Sequence, residues 1–239
     1  MAVFFQLYYK IGSGQQFLQD LEGYNCPVSD IRLNVHVVIF RLQGEHLQIL
    51  LAPRESKWEI PSAFVQPTES LEETAERAFM GHVDRKDIYL EQLYTYGDPD
   101  RDADQRLVSV VYFALAPADA ICNPDSTPLR WFQVDALPNL NGDHAEIIAY
   151  ALRRLRYKLE YTAAGFQLLP DEFTLSELQH TYEIILGERL DKRNFRRRIL
   201  EAGIIEATSH YRSGEGRPAR LYRYRSDAVA EVKTRRLFP

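Results

Sequence analysis

WEIPSAFVQPTESLEETAERAFMGHVDR, from Trp58 to Arg85, is the stretch on which the fold turns. It opens as a short β-rich run, bends at Pro61-Ser62-Ala63 and enters a helix near Ser70. Ser70 and Glu73 stand in the Ser-x-x-Glu spacing of a capping box, in which each side chain satisfies the other residue's backbone N–H. Leu71, Ala75, Ala78 and Phe79 follow at helical spacing, so the helix has one apolar face and a Glu-rich opposite face.

Outward from that unit, Asn34–Leu42 and Leu47–Arg54 read as two strands of a hairpin around Gln43-Gly44-Glu45. Tyr89–Tyr96 and Leu107–Leu115 are two more, flanking the polar loop GDPDRDADQR. Pro117, Pro124 and Pro128 punctuate an irregular stretch before the strand Leu129–Val134. A helix over Asp143–Leu159 places Ile147, Tyr150, Ala151 and Leu155 on one side. Strands with helices on both faces predict an α/β/α sandwich with a mixed sheet over residues 31–160. Residues 1–30 form an N-terminal extension, aromatic at its front and helix-like over 14–21.

The chain has 239 residues, 45% hydrophobic and 26% charged, the composition of a soluble globular protein. Its two cysteines, Cys26 and Cys122, have neither metal-site spacing nor a disulfide framework, which predicts a reducing cytoplasm. The N-terminus lacks the pattern of a signal peptide, and no apolar run approaches the ~20 residues of a membrane span. The net charge of −5 conceals an asymmetry, because residues 189–225 hold 11 basic against 4 acidic residues. A basic segment on an acidic body predicts contact with a polyanion.

That basic segment has a recognisable order. The character of the chain changes at Ala163–Pro170, and the domain boundary is placed there, with a second domain over 161–239. Thr174 and Glu177 form another capping box, and Leu175, Leu178, Tyr182 and Ile185 mark the buried stripe of a short helix ending at Gly187. A second helix starts with Asp191 as N-cap and ends at Gly203, with Phe195, Ile199 and Ala202 on its inner side. Arg193, Asn194 and Arg197 project from its outer side, flanked by Lys192 and Arg196. A hairpin with a basic, Gly-rich tip follows and carries Arg217 and Arg220. Helix, turn, basic helix and basic hairpin resemble a winged helix-turn-helix, whose second helix enters the major groove while the wing holds phosphates. The expected DNA contacts are Thr174, Lys192, Arg193, Asn194, Arg196, Arg197, Arg217 and Arg220.

Trp58–Arg85 resembles the Nudix box: Gly, five residues, Glu, seven residues, Arg-Glu and then a Glu pair. Ala63 stands for the Gly, while Glu69 and Arg77 are in place. The metal-binding glutamates are replaced by Ala78, Gly81 and His82, and the closing Gly by Asp84. Mg²⁺ requires hard oxygen ligands, which Ala and Gly lack and which His does not supply. The expectation is therefore no metal, no cofactor and no hydrolase activity, with Glu69 and Arg77 forming an ordinary ion pair. The loop GDPDRDADQR between the second pair of strands is similar to that of Nudix ADP-ribose pyrophosphatases.

A degraded box joined to a winged helix resembles the Nudix-related transcriptional regulators. The resemblance implies a homodimer on palindromic double-stranded DNA that represses genes of NAD synthesis or salvage and responds to ADP-ribose. Arg54, Lys57, Arg101 and Arg106 are the cationic groups expected to meet that effector's diphosphate without metal, and Trp58 offers an aromatic face for its base or ribose. A sugar-responsive regulator of the same architecture and an active ADP-ribose or ADP-sugar pyrophosphatase are the alternatives.

Overall fold

The computed structural model describes residues 31–80, 83, 88–102, 104–117, 128–161, 164–214 and 216–228. The expected N-terminal extension, and box positions Gly81, His82 and Asp84, lie outside the described residues.

The first domain is built on β1 (Arg32–Gln43), whose neighbours are β2 (His46–Arg54), β4 (Ser62–Phe64) and β6 (Leu107–Ala116). β3 (Lys57–Glu59) and β7 (Arg130–Gln133) pair with β2, and β5 (Tyr89–Tyr96) forms an edge beside β6. β1 and β6 run parallel and the other pairs antiparallel, so the sheet is mixed.

β1 explains the layering. Its apolar run has no polar face because both faces are covered. Val35, Val37 and Ile39 pack with Ala75 and Phe79 of α1 (Leu71–Phe79). The alternate residues, Val38 and Phe40, pack with Ile147, Ala151 and Leu155 of α2 (His144–Tyr161). The Ser70–Glu73 capping box is present at the start of α1, and Met80 is its C-cap.

The second domain contains α3 (Leu175–Leu186), α4 (Lys192–Glu201) and the hairpin β8 (Ile205–Gly214) and β9 (Gly216–Tyr224). Phe173 exchanges backbone hydrogen bonds of 2.9 and 2.8 Å with Tyr222, adding a bridge to the hairpin.

The sequence places a domain boundary in AAGFQLLP. In the structure Ala164–Leu168 is a 3-10 turn with Ala164, Gly165, Phe166 and Leu168 buried. The buried cluster that fills the α2 side of the sheet continues through Leu159, Phe166 and Phe173 to Tyr182 and Phe195. The domains therefore share a core. Gly165 is its tightest point, since a Cβ there would lie 2.8 Å from Leu159 Cδ2 and 2.9 Å from Tyr182 Cε2. Overpacking of this kind costs about 1–3 kcal/mol. Urea unfolding of Gly165→Ala should show a loss in that range, and an unchanged midpoint would contradict the shared core.

Candidate functional site

A cleft of about 310 Å³ opens where β1 stops being apolar. Arg32, Asn34 and His36 alternate along one face of β1, the face that continues into Val38 and Phe40. They form one wall. Ser62 and Phe64 of β4, Arg54 and Glu59 from the β2–β3 end, and Arg101, Asp102 and Gln105 of the β5–β6 loop form others. Asn141, Gly142, Asp143 and His144 close the cleft at the start of α2.

Arg101 organises this assembly. Its guanidinium donates to both oxygens of Asp143, over 2.6 and 3.1 Å, and to Ser109 Oγ, and it lies over the Tyr96 ring at 5.4 Å. Burial pushes the Asp143 carboxyl up, but the hydrogen bonds and charge of Arg101 outweigh it and hold the group below its ordinary value. The side chains of Arg101 and Asp143 are 10% and 30% exposed, so removal of Arg101 would strand a partly buried carboxylate. Arg54 is different. It pairs with Glu59 at 3.1 Å but is 62% exposed, and such a pair contributes under ~1 kcal/mol. Arg54 is therefore held only weakly by Glu59, whereas Arg101 is fixed by its partners.

Two buried histidines lie beneath. Burial lowers His36 from 6.5 to about 3, with the charges of His144 and Arg101 adding to it. Burial likewise lowers His144 to about 4, against the opposing pull of Asp143. Their rings meet edge to face at 5.1 Å. His144 Nδ1 accepts from the Ile60 N–H at 2.9 Å, and Asn34 Nδ2 lies 3.0 Å from His36 Nε2. Both rings are neutral at pH 7.

Of the five residues expected at the effector site, the structure brings Arg54 and Arg101 into the cleft. Lys57 is exposed and away from it. Trp58 packs edge-on against Phe132 at 4.6 Å, its backbone is clasped by Asn139 and Asn141, and its partly buried ring lies against the core. Arg106 turns along the backbone to the Leu107 carbonyl at 3.4 Å. Sequence reading passed over Arg32, Asn34, His36 and the Asn141–His144 turn. The signal for the first three was available as polar residues at i, i+2 and i+4 of an otherwise apolar strand.

The box remnant is closed on itself. Arg77 donates to Glu69 from Nε and Nη2, at 2.8 and 2.7 Å, and Nη2 also reaches the Phe64 carbonyl at 2.7 Å. Thr74 Oγ1 donates to the same carboxylate at 3.2 Å. The hydrogen bond from Arg77 is the main reason the Glu69 carboxyl is held below its ordinary value. The expected ion pair is thus a clamp between the β4 end and α1. Ala78 is partly buried against the α1 side of the sheet.

In the second domain, α4 presents the basic surface. Asp191 Oδ1 accepts from the Asn194 N–H at 2.8 Å, which fixes the start of the helix. Phe195 and Ile199 are buried, and Lys192, Arg193 and Arg197 are exposed on the other side. Asn194 accepts from Arg197 at 2.9 Å. Arg196 is half-buried and donates to Ser176 on α3 at 3.0 Å, so it braces the two helices. The α3–α4 turn is locked by Glu183, which accepts from the Leu190 N–H and from Gln179.

Thr174 is buried, with its hydroxyl accepting from the Glu177 N–H, and acts as the cap rather than as an outward group. Arg220 is exposed on β9, while the side chain of Arg217 lies outside the described residues. Sequence reading missed Arg212 and His210, which tie the wing to Glu177 and Glu172 at the front of α3. The result is a wing tied to the front of α3, beside a basic helix.

A Nudix-type α/β/α layer joined through a shared core to a winged helix defines a two-domain class of nucleic-acid-binding proteins. The family described as "NUDIX domain" matches residues 30–155, and that described as "NrtR DNA-binding winged helix domain" matches residues 165–224. An ADPR-responsive transcriptional repressor from Acinetobacter baylyi is 35% identical over 89% of this chain and 88% of its own length. The crystal structure of Shewanella oneidensis NrtR complexed with a 27mer DNA is similar at TM-score 0.76 and 32% identity, covering 85% of this chain and 96% of that one. The structure of the same protein alone gives TM-score 0.75 and 33% identity, covering 85% and 97%. The chain belongs to the NrtR family.

The histidines give a stability test. Unfolded histidine titrates near 6.5, so below that pH the unfolded chain takes up protons that buried His36 and His144 refuse. Their contribution is whole above about 6.5 and is lost as pH falls toward their folded values near 4 and 3. Thermal midpoints should be level between about pH 7 and 8 and fall between about 6.5 and 5, with a shallower fall in His36→Gln. Equal slopes in the two proteins would contradict the assignment.

Proposed function

We propose that the protein is a transcriptional repressor that grips operator DNA with α4 and the β8–β9 wing and releases it when ADP-ribose fills the cleft. Support for the DNA half comes from the basic outer face of α4 and from the relative crystallised with DNA. Support for the effector half comes from the Acinetobacter relative named for its response to ADPR.

The observation that carries the link is α2. Its first residue, His144, lines the cleft with Asp143 just before it, and its far end packs on the DNA-binding domain. There Arg156 Nε donates to the Ile185 carbonyl of α3 at 2.8 Å, and Leu159 meets Gly165 and Tyr182. Eighteen residues of helix span about 27 Å. β2 makes a second connection, with Arg54 in the cleft and the adjoining turn residue Glu45 lying 2.9 Å from His180 of α3. A ligand that reorients either element moves α3, and with it α4.

The operator is read as a palindrome by a homodimer, with half-sites about 10 bp or a multiple apart so that both lie on one face of the duplex. The genes repressed are those of NAD synthesis or salvage. In gel shifts on the protein's own promoter region, ADP-ribose should release the DNA, and lack of any shifted band would contradict the reading. Replacing Arg193 with Ala should cost about 1–3 kcal/mol and relax specificity at one base step, while Arg220→Ala should weaken all sequences alike and flatten the salt dependence. Uniform loss from Arg193→Ala would remove it from base reading.

The Nudix domain acts here as a receptor without turnover. Ala78 supplies no ligand oxygen, and Glu69, the acid kept from the box, is held by Arg77. With Mg²⁺ the protein should leave ADP-ribose and ADP-sugars intact. Phosphate-release assays approaching the ~10 s⁻¹ of an ordinary enzyme would contradict this.

A further inference from the structure

Three elements of the DNA-binding domain meet at the first turn of α3. Ser176 accepts a hydrogen bond from Arg196 of α4 at 3.0 Å, so one side of that turn lies against the basic helix. The other side faces the wing, where Arg212 donates to the Glu177 carboxylate and, at 3.3 Å, to the Glu172 carbonyl. His210 Nδ1 lies 2.9 and 3.0 Å from the two carboxylate oxygens of Glu172. DNA that spans α4 and the wing therefore crosses a turn carrying two carboxylates. Both can be reached from solvent, since the side chains of Glu172 and Glu177 are 34% and 39% exposed.

This is an unexpected place for acids. The start of a helix otherwise favours a phosphate, through its free N–H groups and partial positive charge. Here the Thr174–Glu177 capping box takes up the N–H groups of both its members, and Glu177 adds a full negative charge. The wing's cations are sorted in the same sense. Tyr211 and Arg220 are cross-strand partners, and both are exposed. Arg220 Nε donates to the Thr208 carbonyl at 3.3 Å, and among the described residues Arg220 has no carboxylate partner. His210 and Arg212 turn instead toward α3 and its acids.

We propose that Glu172 and Glu177 attenuate the protein's affinity for DNA of any sequence. They keep Arg212 and His210 on the protein, leave Arg220 as a phosphate contact of the wing, and set negative charge in the path of the DNA backbone. The proposal rests on the DNA-binding reading above and adds to it two residues that act against binding. Phosphate contacts carry the sequence-independent part of the affinity, so the attenuation is uniform and the preference read by α4 is untouched. An operator complex held down in this way stays within reach of an effector that changes DNA affinity by a finite factor.

Fluorescence anisotropy of the full-length protein tests this, on its own promoter fragment and on a scrambled fragment of equal length, over a series of salt concentrations. Glu177→Gln preserves the capping box, which accepts either Glu or Gln at that position. It should tighten both fragments by the same factor, about threefold to tenfold, and steepen the slope of log K against log salt by about 0.9 for the one cation released. Glu172→Gln, outside the box, should act in the same direction. Combining Glu177→Gln with Arg212→Gln removes the pair as a whole, while the Phe173–Tyr222 bridge still holds the wing. Affinity and slope should then return to those of the unaltered protein. Unchanged binding in both single variants would overturn the proposal. So would a double variant with a slope flatter than the unaltered protein's by about 0.9, since Arg212 would then itself be a phosphate contact. Binding of neither fragment by the unaltered protein, or equal binding of both, would instead overturn the reading on which the proposal stands.

Discussion

The Arg101–Asp143 ion pair is the constraint on which the cleft depends. It ties the β5–β6 loop to the residue that precedes α2, and the two oxygens of Asp143 leave Arg101 little freedom to turn. Without it the loop that forms one wall and the helix that forms another would have no fixed relation. The pair sits above two neutral histidines, so the cleft combines a fixed charge at its edge with an uncharged interior.

From that anchor the rest of the chain follows along α2. One side of the helix is the lid on the sheet, through Ile147, Ala151 and Leu155, and its end is part of the core of the DNA-binding domain. Because one buried cluster passes through both domains, the second domain is not a separate body on a tether. Movement at the cleft therefore has a packed route to α3, and a ligand acts on DNA affinity to the extent that it favours one arrangement of that route over another.

The layers, the main strands, both capping boxes and the basic helix were legible in the sequence because each rests on local rules. The Ser70–Glu73 and Thr174–Glu177 boxes are fixed by spacing of three, and the burial of β1 by its unbroken apolar run. The cleft was legible only in part. Arg54 and Arg101 were found by their place beside the box and in the loop, whereas Trp58 looked like a ligand platform and packs against Phe132 at the margin of the core. Asp143 and His144 were read as the start of a helix, since nothing local to them reveals that Arg101, 42 residues earlier, is the partner of Asp143. The buried junction was read as a boundary for a similar reason. AAGFQLLP looks irregular in sequence, and its burial depends on Leu159 and Tyr182 closing around Gly165.

The central claim is that cleft and DNA-binding surface are energetically one system, and linkage tests it most directly. ADP-ribose is titrated into the free protein and into the protein–operator complex, and DNA affinity is measured with the cleft empty and filled. The account predicts that DNA weakens ADP-ribose binding by the same factor by which ADP-ribose weakens DNA binding. A tenfold factor corresponds to about 1.4 kcal/mol of coupling, within the usual 1–3 kcal/mol. Equal ADP-ribose affinity for the free protein and the complex would contradict it.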